Sequence, residues 1–426
     1  MQHKMELPMK KSSSSSDHCQ NDAVVQDPYR FAYIIHFFLG AGNLLPWNAL
    51  ITAVDYFSYL YPKKHTEKVF SVAYMTSSVL VLFVMMSWPR AWSKISLRLR
   101  MNLGFSLFVF SLMVPPVIDW ASAAGCCSRG GDGGGGSRPS GAYGLTVTAV
   151  IICGIADGLV GGSLVGSAGK LPKQYMQAVF AGTASSGIII SILRIITKAS
   201  LPQTPKGLQT SAHLYFIAAT IFLLCCIIFC NLQFKLPVMQ QYYLHHGIPD
   251  IVIVGNSLCS SAPRFWAIAA KIRCHAFGIF IIYVVTLSIF PGFIAEDLVS
   301  ELFKDWYPIL LISVYNIADL MGKCLTAFYI VKSIKTATWA CISRFLFYPL
   351  FIVCLHGPKW LKSEGPIVVL TFVLGLTNGF LTSCLMIVAP KSVVQPSESE
   401  LSAIVMIVFL GFGLVGGSVL GWVWLI

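Results

Sequence analysis

Charge is what this sequence has least of. Only 11% of its 426 residues are Asp, Glu, Lys or Arg, and just 18 are acidic, against about 25% charged in soluble domains. A chain of this length folding in water would divide into domains that need charged surfaces, so an ordinary soluble enzyme is excluded. With 56% apolar residues, a disordered chain is excluded as well. The period-two alternation of an outer-membrane barrel is missing. No Asn-x-Ser/Thr sequon and no Cys-x-x-Cys pair occur, and the nine His are scattered, with His36 and His213 each isolated within an apolar run. Neither a metal set nor a nucleophile with its base emerges, which argues against an intramembrane enzyme. Gly169-Lys170 and Gly322-Lys323 lack the Ser/Thr and upstream Gly of a phosphate loop, so no ATP-driven pump motif is present.

What is abundant is apolar sequence in helix-spanning lengths. A helix crossing about 30 Å of hydrocarbon needs roughly 20 residues with few charges. Runs 31–54, 69–89, 101–118, 174–193, 207–234, 274–295, 365–390 and 401–426 contain no charged residue. Three more carry isolated charges: 143–168 with Asp157, 307–331 with Asp319 and Lys323, and 338–356 with Arg344. The expectation is an all-α polytopic membrane protein of eleven transmembrane helices. Its connections divide into a set with 17 Lys/Arg, which includes the N-terminal tail, and an opposite set with 10. The N-terminus is therefore expected in the cytosol and the C-terminus on the other side. The net charge of +12 reads as anchoring to the lipid bilayer, not as nucleic-acid binding.

The expected organisation is a polar cytosolic tail at 1–30, a six-helix bundle at 31–234, a cytosolic connecting loop at 235–273 and a five-helix bundle at 274–426. This six-plus-five division resembles transporters built from paired bundles with a mid-membrane site between them. Residues 125–141, rich in glycine, read as an external loop. Most of the 13 cysteines fall in apolar runs as small apolar residues, and only Cys126 and Cys127 fall in an outside loop.

A charge at the centre of a membrane helix costs on the order of 2.5–3.5 kcal/mol, so each one asks for a partner or a wet cavity. Asn316, Asp319 and Lys323 fall at i, i+3 and i+7 on one helix stripe. They form either an ion pair that only lets the helix insert, or a donor-and-acceptor face for a hydroxyl-rich neutral solute. Asp157 lies one turn from Gly161 in a glycine-rich run that suits close helix packing. Packing does not need a carboxylate, which makes Asp157 a candidate proton site. Arg344 and Arg194 lie nearer the ends of their runs, where snorkelling is a sufficient account. Pro46, beside Trp47 and Asn48, predicts a bend whose aromatic and amide could line a pocket.

Several strings resemble the equilibrative nucleoside transporter family along nearly the whole chain. They are LLPWNALITAVDYF, YNIADLMGKCLTAFY, SRFLFYPL, and LGLTNGFL followed by APKSV, in family order, while LPKQYMQAVFAGTASSGIIISILRIITKA resembles the plant members. The resemblance implies a fold related to the major facilitator group, moving purine and pyrimidine nucleosides such as adenosine and uridine by alternating access. It implies that Leu44 and Trp47 line the central cavity and that Asp319 and Lys323 engage ribose hydroxyls. Arg344 and Asn378 would hold the bundle and gate together. Two positions depart from the family pattern. Lys323 stands where Arg is usual, which keeps charge but loses a planar donor. Gly161 stands where the family has a base-reading glutamine, which implies weaker or broader base discrimination.

The reading is thus a non-enzymatic nucleoside carrier, driven either by the solute gradient alone or with protons, with no cofactor, metal or obligate protein partner implied. A facilitative carrier of nucleobases or sugars on the same scaffold is the alternative. The plasma membrane is the expected location and the vacuolar membrane the second.

Overall fold

The computed structural model describes residues 30–62, 64–87, 95–128, 140–168, 171–202, 204–240, 262–294, 298, 300–326, 328–356, 364–393 and 396–425. Among them every regular element is helical. In chain order these are α1 Phe31–Thr52, α2 Val54–Leu60, α3 Thr66–Ser87, α4 Leu97–Ser128, α5 Ser140–Ala168, α6 Lys173–Ala199 and α7 Pro205–Gln233. There follow α8 Ala262–Lys271, α9 Arg273–Ile289, α10 Tyr307–Leu325, α11 Ile334–Ser343, α12 Phe347–His356, α13 Glu364–Val388 and α14 Pro396–Leu420.

Among the described residues, ten helical stretches are long and apolar enough to cross a membrane, and α9, with 17 residues, is a shorter apolar helix. The helices are apolar on both sides. Phe83, Phe110, Ile228 and Val369 are each more than half exposed, although a helix in water would turn charge outward there. Lipid is the solvent that accepts such a surface.

Boundaries differ from the sequence expectation where local geometry intervenes. The first apolar run breaks at Ala53 and restarts as α2, with Asp55 in its first turn. The run around Arg344 is interrupted by a 3-10 turn, Arg344–Leu346, between α11 and α12. Helix α4 continues to Ser128, so Cys126 and Cys127 end a helix and do not sit in a loop. The connection expected at 235–273 contains α8, whose Ile268 and Ala269 are buried. Most of the expected tail, 1–29, and the glycine-rich 129–139 lie outside the described residues.

The helices before residue 240 pack mainly on one another, with α1 against α6, α3 and α4 against α5, and α4 against α7. Those after 262 do likewise, with α10 against α13 and α9 against α14. Two helix pairs make most of the contact between the groups, α6 with α10 and α3 with α14, and α1 also touches α10. Glycine sets the closest approaches. A Cβ on Gly182 would lie 2.0 Å from the Phe37 carbonyl oxygen, and one on Gly379 2.0 Å from that of Asp319. Backbones can meet this closely only without side chains between them.

The apolar core is divided unevenly. One large cluster includes Tyr56, Phe57 and Phe70 of the first group and Phe290, Tyr307, Leu311 and Phe351 of the second. A second cluster, with Ala276, Cys341, Leu385 and Met406, draws only on the later helices. A third, with Ala32, Leu171, Tyr175 and Val238, draws only on the earlier ones. The two groups therefore share a core at the end where α1 finishes and keep separate cores at the end where α1 begins.

Candidate functional site

The later helices build a continuous polar chain inside the membrane region. Lys323 Nζ lies 2.7 Å from Asp319 Oδ2, an i,i+4 pair on α10. Asn378 Nδ2 on α13 donates to Asp319 Oδ1 at 2.7 Å. Thr286 Oγ1 on α9 lies 2.8 Å from Asn378 Oδ1 and accepts from the Arg344 guanidinium at 2.7 Å. The same guanidinium donates to Leu374 O at 3.2 Å and to the Thr377 hydroxyl. Arg344 is 2% exposed, so snorkelling does not explain it; it ties the 3-10 turn to α9 and α13. Gly379, Gly375 and Gly322 let α10 and α13 touch, which brings the Asn378 amide within reach of Asp319.

Each Asp319 oxygen has one donor here and keeps a second lone pair. The Asp319 and Lys323 side chains retain 11% and 18% exposure, in contrast to the sealed Arg344. A hydroxyl group could thus be received on the carboxylate without dismantling the pair.

The stripe of Asn316, Asp319 and Lys323 does not face one way. Asn316 Nδ2 turns to α6, donating to Gly187 O and Ser191 Oγ, both at 3.2 Å. It is a contact between the two helix groups. Asn48 is likewise engaged, donating to Ser186 Oγ on α6 at 2.8 Å, and is 4% exposed. α1 runs through Pro46 without interruption. Trp47 lies with its ring 4.9 Å from that of Tyr74 on α3, and Leu44 stays partly exposed.

Asp157 on α5 accepts from Ser78 Oγ at 2.7 Å and lies 3.4 Å from Asn43 Nδ2. No cation pairs with it among the described residues. Gly161, one turn on, faces the Asn43 side chain. Gly158 abuts the Ser78 carbonyl oxygen, so part of the glycine run does serve close packing.

At the end where the core is shared, Asp55 pairs with Arg194 at 2.5 Å and with Lys198 at 2.7 Å. Lys198 Nζ also donates to the Asp305 carbonyl at 2.7 Å, which joins α6 to the segment before α10. Burial alone would raise the Asp55 pKa, but the two cations hold it below the ordinary carboxylate value. Asp55, Asn43, Ser78 and Thr286 gave no sequence signal of their own, because their partners lie far away in the chain.

The family model described as "Nucleoside transporter" matches residues 147–251 and 254–426. Equilibrative nucleotide transporter 8 of Arabidopsis thaliana is 61% identical over 406 residues, covering 95% of this chain and 98% of that protein. Equilibrative nucleotide transporter 1 of the same plant is 48% identical over 405 residues, covering 94% and 87%. Among solved structures, the nucleoside transporter NupG superposes with a TM-score of 0.55 at 12% identity, covering 93% of this chain and 91% of that one. The xylose transporter XylE from E. coli, a major facilitator superfamily protein, superposes with a TM-score of 0.54 at 13% identity, covering 93% and 96%. Those two likenesses show the fold, an all-helical one like that of the major facilitator proteins. With the family model matching more than half of the chain and relatives matching nearly end to end, the chain belongs to the equilibrative nucleoside transporter family, is of plant type, and is an integral membrane transporter of nucleosides.

Proposed function

We propose that this transporter works by rocking six spans against five, α9 being the eleventh, about a nucleoside site between α1, α5 and α10. At 17 residues and 1.5 Å per residue, α9 is near the lower limit for a span. The proposed site receives ribose on Asp319 and Lys323, with Leu44 and Trp47 lining the opposite wall. Asn378 and Arg344 position Asp319. Asn316 binds α10 to α6 in this conformation and is released to the site when the groups separate, while Asn48, held to α6 within its own group, stays on the wall of the site.

The observation that carries the proposal is the contrast in exposure along one network: Arg344 is sealed at 2%, while the Asp319 and Lys323 side chains keep 11% and 18%. A neutral cargo suits it. Lys323, Arg194 and Lys198 are matched to carboxylates, and Arg344 is engaged by hydroxyls and a carbonyl, so a phosphate would have to displace an existing partner. With the N-terminus in the cytosol, the end with separate cores faces inward and the sealed end outward. The favoured membrane is the plasma membrane, with the vacuolar membrane second.

Uptake of labelled adenosine and uridine in cells lacking endogenous carriers tests the site. Asp319→Asn is expected to abolish uptake of both with the protein still at the surface; intact uptake would move the site elsewhere. Asp157, partly exposed beside Tyr74 and Cys153 and paired with no cation among the described residues, is the proposed proton carrier. An uncoupler should then collapse uphill uptake, and Asp157→Asn should flatten its dependence on external pH. Uptake that only equilibrates, indifferent to uncoupler, would indicate facilitated diffusion.

A further inference from the structure

Gly161 leaves a space beside α1, and the structure fills it with an amide from another helix. A Cβ built on Gly161 would meet Asn43 Nδ2 at 3.3 Å and Oδ1 at 3.6 Å. Asn43 Nδ2 points at Asp157 Oδ1, 3.4 Å away, and the other Asp157 oxygen is held by Ser78 at 2.7 Å. Asn43 Oδ1 is buried and has no hydrogen-bond partner among the described residues, an arrangement that folded proteins ordinarily avoid. The patch is also open at mid-helix. Asn43, Leu44, Asp157 and Gly161 stay partly exposed, whereas Leu39–Gly42 and Leu45–Thr52 of α1 are buried.

We propose that Asn43, oriented by Asp157, is a specificity-determining residue that reads the nucleobase through its exocyclic amine. The inference rests on the binding site proposed above. With one Asn43 N–H directed to Asp157, the Asn43 oxygen and the Asp157 carboxylate stand side by side as acceptors. Two adjacent acceptors favour a base edge that presents N–H donors, as the amino groups of adenine and cytosine do. Uracil offers its ring N–H between two carbonyl oxygens, and a carbonyl turned toward the carboxylate is repelled. Recognition remains broad, because purines and pyrimidines both include amino-bearing members, but it is biased toward that class.

The test compares adenosine with purine riboside, which has the same ring and ribose and lacks the amine, as competitors of labelled adenosine uptake by the full-length protein. The wild type is expected to favour adenosine by about tenfold, and cytidine over uridine in the same sense. Asn43→Ala should bring adenosine and purine riboside to equal potency while uptake continues. Gly161→Ala, whose Cβ would press on the Asn43 amide from 3.3 Å, should narrow the ratio in the same direction, which keeps the inference testable if Asn43→Ala fails to reach the membrane. Equal potency of the two competitors in the wild type, or a ratio unchanged by both variants, would overturn it. Failure of the site itself reads differently: Asp319→Asn would then leave uptake of every nucleoside intact, whatever the competitor ratio.

Discussion

At the scale of single residues, the stability of the site depends on keeping buried polar atoms paired. Arg344 donates to three acceptors on two helices, a task for a planar fork of donors that an ammonium cannot reproduce. Arg344→Lys keeps the charge and should still lower the melting temperature in detergent, at a cost of about 1–3 kcal/mol for donors and acceptors left unmatched. Lys323→Ala strands the Asp319 carboxylate and is expected to cost about 3–5 kcal/mol, read by the same thermal measurement. An unshifted melt for both would mean that the network is solvated and dispensable.

At the scale of helices, glycine carries the site as much as the polar groups do. Gly379 lets α13 lie against the backbone of α10 at Asp319, since any Cβ there would stand 2.0 Å from its carbonyl oxygen. Gly379→Val should therefore separate α10 from α13, withdraw Asn378 from Asp319, and reduce the fraction of monodisperse protein on size exclusion after detergent extraction. Undiminished yield with normal adenosine uptake would contradict it. The helix α9 shows the opposite economy: its Thr286 links Arg344 to Asn378, and a lone threonine in an apolar run is indistinguishable in sequence from one that merely bonds to its own helix.

At the scale of the molecule, one end is latched and the other divided. Lys198 reaches from α6 to the Asp305 carbonyl while pairing with Asp55. Lys198→Ala should loosen this end and speed hydrogen–deuterium exchange in residues 300–310, with little change around 380–390. Equal exchange in both segments would deny the latch. Because Asp55 is held below its ordinary pKa, its contribution is complete above the unfolded value of about 4 and is lost only as pH falls through the lower folded value. Acidification from pH 7 to pH 5 should leave exchange at this end unchanged, so any change of uptake across that range arises from another group.

Much of this was legible without coordinates. The absence of charge over helix-length runs places the chain in a membrane, since the penalty for burying a charge acts residue by residue along the chain. The family strings likewise marked Asp319, Lys323, Arg344 and Asn378 together. The sequence did not indicate facing. Asn316, Asp319 and Lys323 share a stripe in the sequence reading, yet Asn316 belongs to α6 and Asp319 to α13, because three helices meet around α10 and the stripe is wider than any one contact. The 114 residues between Asn43 and Asp157 hid their pairing, as did the empty side chain at Gly161 that makes room for it. Local composition thus determined the solvent and the helical class. Tertiary packing alone decided which polar atoms meet, which end is sealed and which acceptor is left unpaired, because those outcomes depend on helix rotation and on approach distances that no single segment contains.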